Sequence, residues 1–170
     1  KDQRSTRYLT RLGRELSERL PEFPYGQMEV LLHSDRKLKF DSVALPGVRI
    51  YLSFRLVRKI EFENELAALV GLNLIHVHKR NLVRKFESRQ KLDESGKLKA
   101  GKTVGDYGSS SFDKNVMADA IRDTVGLLYR VGYDPRGLVT LWEKYRINQK
   151  YSPFSREELR LYKEQTRQAI

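Results

Sequence analysis

Cysteine is absent from the 170 residues of this chain. Without thiols the protein cannot form disulfides, cysteine zinc fingers, iron–sulfur clusters or a thiol nucleophile. No apolar run approaches the ~18–20 residues that a membrane-spanning helix needs, so we expect none. The printed residues begin Lys-Asp-Gln-Arg, with neither an initiator methionine nor a signal-peptide pattern. Such a start is typical of a trimmed or processed form, which leaves a removed leader or anchor open.

The composition that remains is typical of a folded globular domain. Hydrophobic residues make up 39% and charged residues 32% of the chain, which argues against wholesale disorder. The length suits one domain, residues 1–170, with a single sizeable core. The 33 Lys and Arg exceed the 22 Asp and Glu and give a net charge of +11. A surface this basic attracts anions such as nucleic acid, anionic lipid or acidic polymers.

The positive charge is concentrated between residues 79 and 102, where nine basic residues meet three acidic ones. One interpretation is a solvated helix end that runs into a flexible loop, and the other is an electrostatic docking patch for an anionic surface. The helical part of this basic patch consists of Lys79, Arg80, Arg84, Lys85, Arg89 and Lys91. The aromatic residues are scattered and lack the stacking patterns of nucleic-acid-binding sheets, which argues against a nucleic-acid partner.

Apolar periodicity and turn residues predict a mixture of helices and strands. Residues 93–111 are rich in Gly, Ser, Lys and Asp and are interpreted as a mobile loop within the single domain. A Ser-x-x-Glu pattern at Ser155 and Glu158 predicts a capping box for the last helix. The predicted helices are 5–20, 61–91, 113–131, 135–146 and 156–170, and the predicted strands are 27–32, 38–43 and 48–54.

Three stretches together resemble a known peptidase family. Residues 44–51, Ala-Leu-Pro-Gly-Val-Arg-Ile-Tyr, resemble the "ALPGG-x-IY" strand of the HtpX/Oma/CAAX-prenyl-protease zinc metallopeptidases, which are of the gluzincin type. Residues 65–70 resemble the "ELAAVLA" that leads into the HExxH helix of that family. Residues 132–135 and 141–144 resemble its "GYDP…LWEK" segment. Their order and spacing agree over about residues 8–160.

The resemblance implies an α+β fold, a compact gluzincin-like domain. A small mixed sheet with an exposed edge strand would pack on a long central helix, with further helices closing the other side. A substrate chain would lie along this edge like an added strand. The peptide-binding edge strand would consist of Val43, Ala44, Leu45, Pro46 and Gly47.

The catalytic motif of the family is not intact in this chain. An HExxH helix supplies two zinc-binding histidines and a glutamate that acts as general base. The "ELAA" register places Leu72, Asn73 and His76 at those three positions. A leucine cannot bind a metal, and an asparagine amide cannot accept a proton near neutral pH. Only His76 is retained, and the "RH" that follows the helix in the family is Arg80-Asn81 here.

The third zinc ligand of the family is a glutamate in the pattern "S-R-x-x-E-x-x-A-D". Alignment on Ser111, Ala118 and Asp119 places Asn115 at this glutamate, whereas counting back from Gly132 without a gap places Met117 there. We prefer the first alignment because it keeps the Ser, Ala and Asp together. Asn73 and Asn115 would then form a neutral polar pair in place of the zinc centre, with Asp119 as a supporting residue around it.

The three histidines do not form a metal cluster by sequence. His76 is expected to be a core histidine bonded to a neighbour such as Asp119 or Asn115. His78 lies on the opposite side of the helix from His76, at the surface. His33 lies on or after a strand with no acidic residue paired to it by motif.

These residues support three functional hypotheses. The leading one is a catalytically inactive metallopeptidase homologue that binds a polypeptide segment or partner protein, without zinc or another cofactor. The second is an active metallopeptidase that binds zinc through non-standard ligands. The third is a basic module that binds polyanions or a membrane surface. The resemblance implies a role in protein quality control in the bacterial periplasm or a membrane-associated envelope setting.

Overall fold

The computed structural model describes residues 3–23, 27–34, 41–45, 47–93, 112–147 and 152–170, and the side chains of 89–93 are excluded. The expected mobile loop 93–111 therefore lies almost entirely outside the described residues, as do Pro46 and Tyr151. Within the described ranges the chain forms three strands and seven helices. In chain order these are α1 (Gln3–Ser17), β1 (Glu29–His33), β2 (Ser42–Leu45), β3 (Arg49–Ser53), α2 (Phe54–Val57), α3 (Glu63–His78), α4 (Asn81–Asp93), α5 (Lys114–Val131), α6 (Arg136–Ile147) and α7 (Arg156–Ala169).

The fold is α+β, with a small mixed sheet as expected. The strand order is β1-β3-β2, so that β1 and β2 are the two edges. β1 runs parallel to β3, whereas β2 runs antiparallel to it with Ser42 opposite Leu52 and Leu45 opposite Arg49. The β2–β3 turn holds Gly47 at φ 87° and Val48 at φ 65°. Val48 occupies the second glycine of the "ALPGG" pattern, and a β-branched residue is strained at such a φ.

Helix α3 is the centre of the domain. Its residues from Ala67 to His76 are all buried, because α1, α5, α6 and β2 pack around it. Burial on every side requires a helix that is apolar nearly all round, and residues 66–77 of α3 are largely so. Gly137 lets α6 approach the start of α3, since a Cβ at this position would lie 2.4 Å from the Asn64 backbone.

The prediction of one long helix over residues 61–91 is wrong, because the chain forms two helices there. α3 ends with the Lys79 N–H bonded to the Ile75 carbonyl, and Arg80 adopts a left-handed φ of 55° before α4 begins. The second strand is described as Ser42–Leu45, and residues 38–40 of the predicted strand lie outside the described residues. The remaining boundaries agree with expectation within a few residues, and the capping box at Ser155 and Glu158 is formed in both directions.

A buried glutamate joins the start of α3 to α6. The Glu65 carboxylate accepts the backbone N–H groups of Glu61 and Phe62 at 2.9 and 3.4 Å. Lys144 brings its Nζ to 3.8 Å from Glu65 and 3.2 Å from Glu61. The "ELAA" and "LWEK" stretches are therefore in direct contact. No helix in the described ranges combines the length and apolar character of a membrane span.

Candidate functional site

The three α3 positions that the resemblance aligns with the HExxH motif line one small pocket between α3, β2 and α5. Leu72, Asn73 and His76 project from α3 toward this pocket, which encloses about 40 Å³. That volume has room for about one or two water molecules. The other lining residues are mostly apolar: Ser42, Val43, Ala44, Leu82, Phe112, Met117, Tyr145, Pro153 and Phe154.

His76 forms a hydrogen bond with a neighbour that was not predicted as its partner. Its Nδ1 lies 2.9 Å from Nδ2 of Asn81, the first residue of α4. Its ring stacks on Phe112 with centroids 4.3 Å apart and an interplanar angle of 20°. Lys85 Nζ lies 4.9 Å from the centroid of the Phe112 ring. The expected bond to Asp119 or Asn115 is therefore wrong, since Asn81 is the partner.

The break between α3 and α4 makes this hydrogen bond possible. On one continuous helix, two residues five positions apart point in directions about 140° apart. The left-handed Arg80 turns the chain so that Asn81 faces back toward His76. An amide nitrogen only donates, so Nδ1 of His76 is the acceptor and the proton of the neutral ring resides on Nε2.

The imidazole of His76 stays neutral over the physiological range. Burial is the main cause, and the positive charges of Lys79 and Lys85 add to it, so that the pKa of His76 falls to about 3. A neutral ring with its proton on Nε2 is a hydrogen-bond donor at that atom. A histidine that binds zinc through Nε2 instead carries its proton on Nδ1 and donates it to a carboxylate or carbonyl. The Asn81 contact is the reverse of that arrangement.

Asn73 turns back onto its own helix. Its Nδ2 donates to the carbonyl of Leu69 at 2.8 Å in the buried interior. Asn115 instead lies exposed at the start of α5, where its backbone N–H donates to the Asp113 carboxylate. The expected Asn73–Asn115 pair is therefore wrong. Asp119 forms an ion pair with Arg122 on the surface of α5 and does not contact His76.

Of the two positions considered for the third ligand, Met117 lies at the pocket and Asn115 does not. Met117 is 1% exposed and lines the pocket with Leu72, Asn73 and His76. With Met117 in place of the glutamate, the "A-D" of the pattern falls on Ala120 and Ile121, which are both buried. Asn115, the position that we preferred from sequence, is exposed and does not line the pocket.

Strand β2 offers an open edge beside this pocket. The Ser53 N–H bonds to the Asp41 carbonyl, so the inward-pointing backbone groups continue at every second residue, at Val43 and Leu45. The backbone groups of Ser42 and Ala44 therefore point away from β3. Among the described residues none pairs with them. Pro46 of the predicted edge lies outside the described residues.

The basic patch is only partly described, and two of its residues have specific contacts. Lys79 pairs with Asp123 of α5, and Lys85 lies over Phe112. Arg80 and Arg84 are exposed. The side chains of Arg89 and Lys91 lie outside the described residues, as does the stretch that follows α4.

Chemically, the pocket presents hydrogen-bond donors and apolar walls rather than a metal-binding set. In the parts of the chain that the structure describes, no three His, Asp or Glu side chains cluster closely enough to hold a metal ion. The Ser42 hydroxyl lies 3.0 Å from the Tyr145 hydroxyl at the pocket wall. Burial, with the charge of Asp41 adding to it, raises the pKa of Tyr145, so this phenol stays protonated.

Sequence reasoning missed Phe112 and Tyr145 as pocket residues, and Asn81 as the partner of His76. Asn81 had a signal, since it occupies the second position of the family's "RH". Phe112 directly precedes the predicted start of α5, but nothing local indicates that it stacks on His76. Comparison with known proteins adds no assignment, because no protein-family model matches this chain and no curated protein matches it significantly.

Proposed function

We propose that this protein is a catalytically inactive homologue of an HExxH zinc metallopeptidase that binds extended polypeptide along β2. Three features support the proposal. The positions of the metal ligands and base meet at one pocket, although only His76 could bind zinc. The "ELAA" and "LWEK" stretches contact each other through Glu65 and Lys144. The edge strand of the "ALPG" stretch borders the same pocket.

The open edge of β2 is the single observation that carries the binding activity. A strand edge with unpaired N–H and C=O groups is a template for an added strand. Ser42 and Ala44 present two such donor–acceptor sets at the rim of an apolar pocket. An extended peptide can satisfy these groups, and one of its side chains would face the pocket.

Loss of zinc chemistry follows from the pocket residues. Asn73 and Leu72 replace the base and the first ligand, and Met117 replaces the third. The neutral ring of His76 carries its proton on Nε2, because Nδ1 accepts the hydrogen bond from Asn81. We infer that the protein holds its polypeptide without cleaving it, in a quality-control setting such as the one that the resemblance implies.

Peptide titration followed by nuclear magnetic resonance tests the binding. We expect unstructured ten-residue segments of casein to shift the amide signals of Ser42 and Ala44. The inward amides of Val43 and Leu45 should move less and provide an internal control. Ala44→Pro removes one outward N–H and should weaken binding about tenfold or more, whereas Ala44→Ser keeps the N–H and should bind normally. If no casein segment shifts the amide signals of Ser42 and Ala44, the proposed peptide binding along β2 is wrong.

Zinc content separates this proposal from an active peptidase. Elemental analysis of protein dialysed against excess zinc should give close to zero zinc per chain for both wild type and His76→Ala. About one zinc in wild type that disappears in His76→Ala, together with casein cleavage that a chelator stops, would overturn the proposal in favour of an enzyme with non-standard ligands.

A further inference from the structure

Helix α1 carries a row of exposed cations that the sequence patterns above did not single out. Arg4, Arg7, Arg11 and Arg14 follow one another at spacings of three, four and three residues, which places them on one face of the helix. All four are exposed. The row extends about 15 Å at the helical rise of 1.5 Å per residue. α1 itself contains one acidic residue, Glu15.

The described acidic residues near this row do not pair with Arg7, Arg11 or Arg14. Within the described structure Arg7, Arg11 and Arg14 form no ion pair, and the nearby Glu29 pairs with Arg49 instead. Arg7 donates through Nε to the Gln3 carbonyl at 3.3 Å, and Arg11 lies 5.5 Å from the ring centroid of Tyr8. Their guanidinium groups thus retain donors for an external anion.

An apolar hollow adjoins the row at Arg7. It is formed between the start of α1 and the outer face of the sheet, and Leu31, Leu32 and Tyr51 line it together with Arg7 and Thr6. Its volume of about 680 Å³ is within the usual range of small-molecule sites. Arg7 also lines the shallow depression that it shares with Arg4 and Arg11.

We propose that this face of α1 docks on a bilayer that contains anionic phospholipid. Phosphate headgroups would bind the arginine row, and the hollow beside Arg7 would take apolar lipid material. Nucleic acid also supplies phosphates, but it has no aliphatic chain that could fill the apolar hollow. The hollow therefore favours a lipid partner over nucleic acid. Arginine forks match phosphate oxygens, and each basic residue near such a surface strengthens binding.

Vesicle sedimentation tests the docking. Wild type should bind vesicles of equal parts phosphatidylcholine and phosphatidylglycerol, bind pure phosphatidylcholine vesicles weakly, and lose affinity as salt rises. Arg7→Gln combined with Arg11→Gln should weaken binding about 30-fold. The matched control is Arg156→Gln combined with Arg160→Gln on α7, which removes the same charge and should change binding only slightly. Thermal melts check that each variant is folded.

A variant of the hollow distinguishes lipid from other polyanions. Leu31→Asn keeps the charge and should weaken vesicle binding about tenfold. Equal losses in the α1 and α7 pairs would overturn the proposal, because net charge alone would then explain binding. Full binding by Leu31→Asn, or an arginine effect on a DNA oligonucleotide with none on vesicles, would also overturn it.

Discussion

The two edges of the sheet differ in the hydrogen-bond partners of their outward backbone groups. On β1 the outward backbone groups of Val30 are occupied by α1, since Thr10 accepts the Val30 N–H at 3.1 Å and donates to the Val30 carbonyl at 3.4 Å. On β2 the outward groups of Ser42 and Ala44 have no described partner. A side-chain hydroxyl thus takes the place of a neighbouring strand at one edge, and the other edge keeps its capacity to pair. The peptide binding proposed above therefore requires β2 rather than β1.

The largest expected effect separates inward from outward positions of β2. Val43→Pro removes an N–H that bonds to β3, and it should lower the free energy of unfolding by about 3 kcal/mol or more. Ala44→Pro removes an N–H that points outward, and it should cost less than about 1 kcal/mol. Urea unfolding of the two variants measures the difference. Equal costs would mean that the assigned register of outward groups is wrong.

The pocket beside the open edge should also give the protein an acid sensitivity. Burial lowers the pKa of His76 from 6.5 to about 3, so between these values the unfolded chain binds a proton that the native state does not. The neutral His76 therefore leaves the free energy of unfolding undiminished above pH 6.5. Below pH 6.5 the free energy of unfolding falls as the pH drops, by up to about 1.4 kcal/mol per pH unit.

Urea unfolding at pH 6.5 and pH 5 measures this effect. His76→Gln should remove about 2 kcal/mol of the loss between these two pH values. Thr10→Val at the covered edge serves as the comparison, because it should leave the slope unchanged. An unaltered slope in His76→Gln would contradict the buried neutral imidazole.

A smaller effect tests the cover over β1. Thr10→Val keeps the shape of the side chain but removes the hydroxyl, which leaves both Val30 groups without this partner. We expect a loss of about 1–2 kcal/mol. Thr10→Ser keeps the hydroxyl and should cost less than half as much. Faster hydrogen exchange of the Val30 amide in the valine variant alone would confirm the assignment, and equal exchange in both would contradict it.

The smallest effect compares two buried tyrosines, of which only Tyr145 contacts the open edge. Tyr145 shares a hydrogen bond with Ser42 of β2, whereas the buried Tyr162 hydroxyl has no hydrogen-bond partner among the residues that the structure describes. Tyr145→Phe should cost about 1 kcal/mol, and Tyr162→Phe should be neutral or slightly stabilising, because it removes an unsatisfied polar group. Thermal unfolding of the two variants compares them directly. A larger loss in Tyr162→Phe would mean that its hydroxyl is satisfied in solution.

Apolar periodicity and turn residues made most helices and strands predictable. The break after α3 was not predictable from such local signals. Residues 76–82 contain neither glycine nor proline, so no local signal ends the helix there. The left-handed Arg80 is favoured instead by contacts that form only in the folded state, such as Asn81 with His76 and Leu82 with Val43. Tertiary packing overrides helix propensity at this point.

The position of Met117 at the pocket was predictable from periodicity, although motif matching selected Asn115. Met117, Ile121, Thr124 and Leu128 recur at the spacing of one helix face, and all are buried. Asn115 does not belong to this face. Periodicity would therefore have chosen Met117, whereas the isolated match of Ala118 and Asp119 favoured Asn115. Phe112 could not be assigned either way, because a single aromatic residue in a loop carries no periodicity.

The burial of α3 on every side has a consequence for the nascent chain. The partners that cover it include α5 and α6, and α6 ends 69 residues after His78. At about 5–20 residues per second, the ribosome needs roughly 3–14 s to add those residues. During this interval α3 leaves the ribosome as an apolar segment whose later partners do not yet exist. The centre of the finished domain is thus the stretch that most needs shelter during synthesis.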